Sequence, residues 1–177
     1  MKEIEMDKIN KLARFTQKLK TAYLIGILPS ELIKILRELK IDIVIDIRAT
    51  VRYPMIYMPK YFKDILSIVG IKYIHFRSLG NPSKLRKKAG EDFILAKKLY
   101  LNYIQEDHKA QNQLSILFKN LRLQKNYCLV CTCETLDPHL CHRFWLYERV
   151  INMKRISLGF ERNYELDLEP IPIIQGG

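Results

Sequence analysis

The chain has 177 residues, enough for one domain that buries roughly two-thirds of its unfolded surface, and its 48% hydrophobic and 28% charged residues exclude a disordered or disulfide-stapled chain. The 30 Lys and Arg against 19 Asp and Glu leave a formal charge of +11, which favours polyanionic partners: nucleic acid, a nucleotide or an anionic membrane face. No apolar run is long enough to span a bilayer, the opening "MKEIEMDKINKLARF" is unlike a signal or transit peptide, and the four cysteines crowd between Cys128 and Cys141, so a reducing cytoplasm is the expected setting.

In chain order, residues 1–19 read as an amphipathic helix packed on the domain, because their apolar positions recur with helical period. "TAYLIGI" is a continuous apolar run of the kind found in a strand buried on both faces. "PSELIKILRELK" follows with Leu32, Ile35, Leu36 and Leu39 on one helical face. "IDIVIDIR" predicts a second strand, with Ile41, Ile43, Ile45 and Ile47 on one side and Val44, Asp46 and Arg48 on the other. After the loop "ATVRYPMIYM" a helix opens near Pro59 and stops before Gly70, carrying Phe62, Ile65, Leu66 and Val69 at core spacing, and "IKYIHF" gives a third strand. "LGNPSKLRKKAG" reads as a loop, Glu91 to Glu106 and "LSILFKNL" as helices, and "NYCLVCTC" as the fourth strand. "PHLCHRFWLYERVIN" is a helix and "KRISLGF" the expected last strand. This alternation predicts a single α/β domain over residues 20–158, three-layered, with a mostly parallel sheet of about five strands and helices on both faces. The tail 159–177, acidic and then proline-punctuated, reads as an edge extension on its own domain or as a segment for a groove, its own or a partner's.

In open parallel sheets ligands bind beyond the carboxyl ends of the strands, where the chemically capable residues of this chain converge. Asp46 and Arg48 end the second strand, His75 the third, and Cys131, Cys133 and Glu134 the fourth, while Cys141, His142 and Arg143 open the following helix. Asp46 and Arg48 are either a structural ion pair or a strut that aims the guanidinium into the crevice. Asp137 before Pro138 reads as an N-cap, which would put Cys141 in or just after the first helical turn, where the dipole favours a thiolate; the competing reading is an inert, packed thiol. Zinc through Cys131, Cys133, Cys141 and His142, with His139 as a spare, competes with both, although C-x-C followed by an adjacent Cys-His pair is not a zinc-knuckle spacing. The sequence otherwise names no cofactor. Lys84, Arg86, Lys87 and Lys88 form the densest basic stretch and the first candidate for nucleic-acid contact.

Three ordered motifs resemble the domain of unknown function 488 family: "IDIVIDIR" its strand ending Asp-x-Arg, "IKYIHFRSLG" its strand followed by Leu-Gly, and "CLVCTCETLDPHLCHR" its strand leading to Cys-His-Arg at a helix start. The resemblance covers roughly residues 20 to 155 and implies Asp46, Arg48, Gly80, Glu134, Cys141, His142 and Arg143 as signature positions, without an agreed activity. The chain departs from the family pattern in reading "GIL" where relatives read Gly-His-Ser, Asn81 for a second glycine, and "TVRYP" for Pro-x-Ser. The combined expectation is an enzyme-like cleft for an anionic small molecule or a nucleic-acid phosphate. Arg48, Asp46, Arg143 and Gly80 would bind the ligand, and Cys141, His142 and Glu134 would carry the chemistry. A non-catalytic nucleic-acid-binding module and a structural metal site are the rivals; no membrane partner is expected, and the oligomeric state is open.

Overall fold

The computed structural model describes residues 2–24, 27–51, 57–121, 124–133, 137, 140–160 and 173–174. In chain order the described elements are α1 (Lys2–Lys18), β1 (Leu19–Tyr23), α2 (Pro29–Glu38), β2 (Ile43–Asp46), α3 (Pro59–Ile68), β3 (Lys72–His75), α4 (Ser83–Ala89), α5 (Phe93–Glu106), α6 (His108–Asn120), β4 (Tyr127–Cys131), α7 (His142–Ser157) and β5 (Ile173–Ile174). A short 3-10 turn, Arg77–Leu79, follows β3. The strands form one sheet in the order β3-β2-β4-β1-β5, and every pairing is parallel.

Period-two alternation divides the strand residues between the faces. Ile45, Ile47, Leu129 and Cys131 pack with side chains of α1, α5, α6 and α7. Ala22, Val44, Cys128 and Val130 pack with Leu32 and Leu36 of α2 and Phe62 and Leu66 of α3. Each fully buried leucine or phenylalanine contributes about 1.5–3 kcal/mol, so neither face survives without its helices. Both α2 and α3 open on a proline in the first turn, where the missing N–H costs nothing. The result is the expected three-layer α/β arrangement.

Adjacent strands β2 and β4 are followed by helices on opposite faces, α3 and α7, so the layers part beyond their carboxyl ends. Register sets Asp46 beside Val130 and His75, and Cys131 beside Tyr23. The ends of four strands therefore form one rim.

Three local expectations are corrected. "KRISLGF" is not a strand: α7 continues to Ser157 because Val150 and Ile151 stay fully buried on it, and Lys154 and Arg155 suit its last turn. The fifth strand comes from the tail, where Ile173 and Ile174 pair with Thr21 and Ala22 at the sheet edge. The basic stretch 83–89 is a helix, α4, rather than a loop, and it stops at Gly90, which has a positive φ of 58°. Finally, Asp137 does not cap α7; its carbonyl accepts the Leu140 N–H at 3.1 Å in a separate turn, and extended Cys141 is the cap residue.

Candidate metal centre and cleft

Four donors meet where β4 ends and α7 begins. Cys131 is the last residue of β4, Cys133 lies two residues on, Cys141 caps α7 and His142 is its first residue. Their ligand atoms, one per residue, all lie within 4.8 Å of one another. Cys131 Sγ is 3.4 Å from Cys141 Sγ, and Cys133 Sγ is 3.3 Å from His142 Nδ1. Spacing along the chain argued against this grouping; the return of the chain from β4 to the α7 cap produces it.

The surrounding donors favour anionic sulfur. Arg143 Nη1 donates to Cys131 Sγ at 3.1 Å and Cys141 Sγ at 3.5 Å, and the Cys133 backbone N–H donates to Cys131 Sγ at 3.3 Å. His142 sets Nε2 3.5 Å from the Ile47 carbonyl, an arrangement that turns Nδ1 toward the sulfurs. Burial opposes ionisation of Cys131, but hydrogen bonds from Cys133 and Cys141 and the charges of His142 and Arg143 outweigh it, and its thiol is held well below the usual range. The opposite holds for Cys141, whose thiol burial and the neighbouring Cys131 push up to about 12. Cys133 is also pushed up, first by its hydrogen bonds to Cys131 and Cys141 and then by burial. Burial alone raises Cys128 to about 12 and leaves it a packed thiol of the α2/α3 face. Burial lowers His142, while the guanidinium of Arg143 stays protonated despite burial because the sulfurs face it.

Asp46 and Arg48 form a closed network behind the rim. Asp46 is wholly buried and Arg48 is 2% exposed, and both pack near Tyr57 and Tyr73 of the α2/α3 face. Arg48 donates through Nη2 to Asp46 Oδ2 at 2.5 Å and to the Tyr57 carbonyl at 2.6 Å, and through Nε to Asp46 Oδ1 at 2.8 Å. The Tyr73 hydroxyl donates to Asp46 Oδ2 at 2.6 Å. These two tyrosines were not legible as partners, because they come from the loop before α3 and from β3. Arg48 Nη1 has no partner among the described residues. His75 Nε2 sits 2.9 Å from the Arg48 carbonyl and so braces the backbone of the rim.

Gly80 explains itself by close approach: a Cβ built there would overlap the Ala49 backbone nitrogen. Only glycine lets the segment after β3 press against residues 49 and 50, and the two segments together wall a cavity of about 250 Å³. Arg48, Thr50, Asn81 and Arg86 line one part of it, and Cys133 and His142 another. Phe93 and Trp145, which the sequence offered only as apolar residues, complete it. Cys141 and Arg143 are fully buried and do not line this cavity. Lys84, Arg86, Lys87 and Lys88 are all exposed on α4, and Arg86 alone of them reaches the cavity. Glu134 and His139 lie outside the described residues. Among the described residues no helix is long and apolar enough to cross a membrane.

A family model described as "Domain of unknown function DUF488" matches residues 29–150. No curated protein and no solved structure matches the chain.

Proposed function

The chain belongs to the DUF488 family, and from that premise we propose that Cys131, Cys133, Cys141 and His142 hold one thiophilic metal ion, zinc in the first place, which braces a cleft for a small anionic ligand. The observation that carries the metal reading is the mutual approach of all four donor atoms within 4.8 Å. Tetrahedral zinc with Zn–S bonds of about 2.3 Å sets its sulfurs about 3.8 Å apart, so small side-chain rotations suffice. His142 offers Nδ1 with Nε2 occupied by a carbonyl, the usual outer support of a metal-bound imidazole. Charge also closes: three thiolates and a divalent ion carry −1, which the buried Arg143 neutralises. With four protein ligands the site is closed, so the metal locks β4 to α7 rather than activating water.

Cys133 and His142 are shared between this centre and the cavity wall, so the metal would fix one side of the cleft while Arg86 supplies its accessible positive charge. Elemental analysis of protein purified without chelator should give one zinc or iron per chain, and the Cys131→Ser variant much less. Sub-stoichiometric metal in the parent protein ends this reading. Two donors converging on Cys131 favour a second one, in which no metal is held and Cys131, rather than Cys141, is the reactive thiol. Alkylation rates compared with and without chelator separate them: chelator should speed labelling of all three cluster thiols if a metal is held and leave their rates unchanged if none is.

A further inference from the structure

We infer that the cleft receives one unpaired base of a single-stranded nucleic acid whose backbone crosses α4 and the start of α5. The inference rests on the reading of the cleft as an anion site and names its ligand. Size comes first. At about 250 Å³ the cavity is below the roughly 300 Å³ where small-molecule pockets begin, so it takes one ring system and not a run of nucleotides.

Its walls suit a flat ring with a polar edge. Phe93, Ala96, Leu140 and Trp145 are apolar, whereas Thr50, Asn81 and Thr132 carry hydrogen-bonding groups. Asn81 and Arg48 both line the cavity, and Asn81 Oδ1 and Arg48 Nη1, buried and without a partner among the described residues, are an acceptor and a donor that reach it by turning. Modest rotation of the Asn81 amide would turn it to a base edge, the pairing its geometry favours. Phe93 lines the cavity yet is 47% exposed, an aromatic face left in water where a neighbouring base can stack.

Charge decides between a free small anion and a polymer. Arg86 already suffices for one phosphate, but Lys84, Lys87 and Lys88 stand exposed on the same short helix, and Lys98 follows on α5. No salt bridge engages any of these five among the described residues, whereas nearby Lys97 is paired with Glu148 at 2.7 Å. Cations without an ion pair on the two helices that carry Arg86 and Phe93 to the cavity match a phosphate chain with one base turned inward. A base in a duplex would first have to unstack and unpair, so single strands are favoured.

Trp145 is the sole tryptophan and lines the cavity, so its fluorescence reports occupancy. The probes are a mixed-sequence single-stranded DNA, its duplex, an oligomer of abasic nucleotides, a nucleoside monophosphate and inorganic phosphate. The expected result is saturable quenching by the single strand, at least tenfold tighter than the duplex or the monophosphate, and no quenching by the abasic oligomer. Its log–log salt slope should be about −2 to −3 and fall by about 0.7 for each of Lys87→Glu and Lys88→Glu. Phe93→Ala, at a half-exposed position, should weaken the single strand at least fivefold. Equal binding of duplex, or equal quenching by the abasic oligomer, overturns the inference. Tight binding of monophosphate or phosphate without preference for the polymer overturns it while leaving the anion cleft standing, and no binding of any probe removes both.

Discussion

Asp46 has no exposed surface, so its charge has to be compensated inside the protein, and three donors from Arg48 together with the Tyr73 hydroxyl do so. Removing one partner of such a pair leaves the other charged in a dry site. Arg48→Met should therefore destabilise the protein by about 3–5 kcal/mol, and adding Asp46→Asn should recover part of that loss, as read from urea midpoints at constant m. Gly80 makes the complementary point about space. Gly80→Ala should cost about 1–3 kcal/mol by forcing the segment off Ala49, and it should also change the Trp145 emission, because the displaced segment walls the same cavity. Charge compensation at Asp46 and close approach at Gly80 are both structural requirements. Asp46 before Arg48 was readable as an ion pair from the strand register, whereas Tyr73 as the fourth donor was not, since nothing along the chain joins residues 46 and 73.

At the scale of elements, short polar clasps set how the strands and helices meet. Asp42, just before β2, accepts the Asn126 backbone N–H at 2.8 Å and the Lys125 ammonium at 3.1 Å, and so ties the start of β2 to the start of β4. Its pKa is lowered from 3.8, chiefly by the Asn126 hydrogen bond and, against the burial that opposes it, by Lys125. A lowered folded-state value means that the unfolded chain binds more protons. The stabilisation is therefore complete above pH about 3.8 and lost as pH falls through the lower folded value. Asp42→Asn should flatten the acid limb of a stability profile below about pH 4 and leave its neutral-to-alkaline shape unchanged, as measured by urea denaturation across pH. Asp107 works at a helix boundary: it ends α5, and its carboxylate accepts the Ala110 N–H of α6 at 2.9 Å. Asp107→Ala should cost about 0.5–2 kcal/mol and lower Tm by several degrees, in line with loss of one N-cap. The expected helix here began only with "LSILFKNL", and it is the extension of α6 back to His108 that makes Asp107 its cap. At α7 the expected cap at Asp137 failed, because an intervening turn moves the helix start to His142.

For the molecule as a whole, the proposed metal joins the carboxyl edge of the sheet to α7, the helix that carries Phe144, Trp145, Leu146, Tyr147, Val150 and Ile151 into the core. Losing it should loosen that union. A strong chelator should lower Tm by several degrees and reduce the near-ultraviolet dichroism of Trp145, and re-addition of zinc should restore both; an unchanged thermogram would show that the four donors hold nothing of structural weight. The basic excess belongs to this scale too. Its density at residues 84–88 was evident from sequence, but only the packing of α4 shows that Arg86, alone of these side chains, lines the cavity with Phe93.

By itself the sequence determined the layers. Alternating isoleucines in β2 and apolar stripes in α2 and α3 mark a strand and two helices that must bury those faces, because burial period is a local property of the chain. It also carried the resemblance to the DUF488 family, whose model matches residues 29–150. Tertiary structure alone decided which sulfurs and nitrogens meet, which thiols face Arg143, and that Arg86 joins Arg48 in lining the cleft. Those outcomes depend on distances between residues far apart in the chain, which are fixed by how strand ends and helix caps turn and not by any spacing that can be counted.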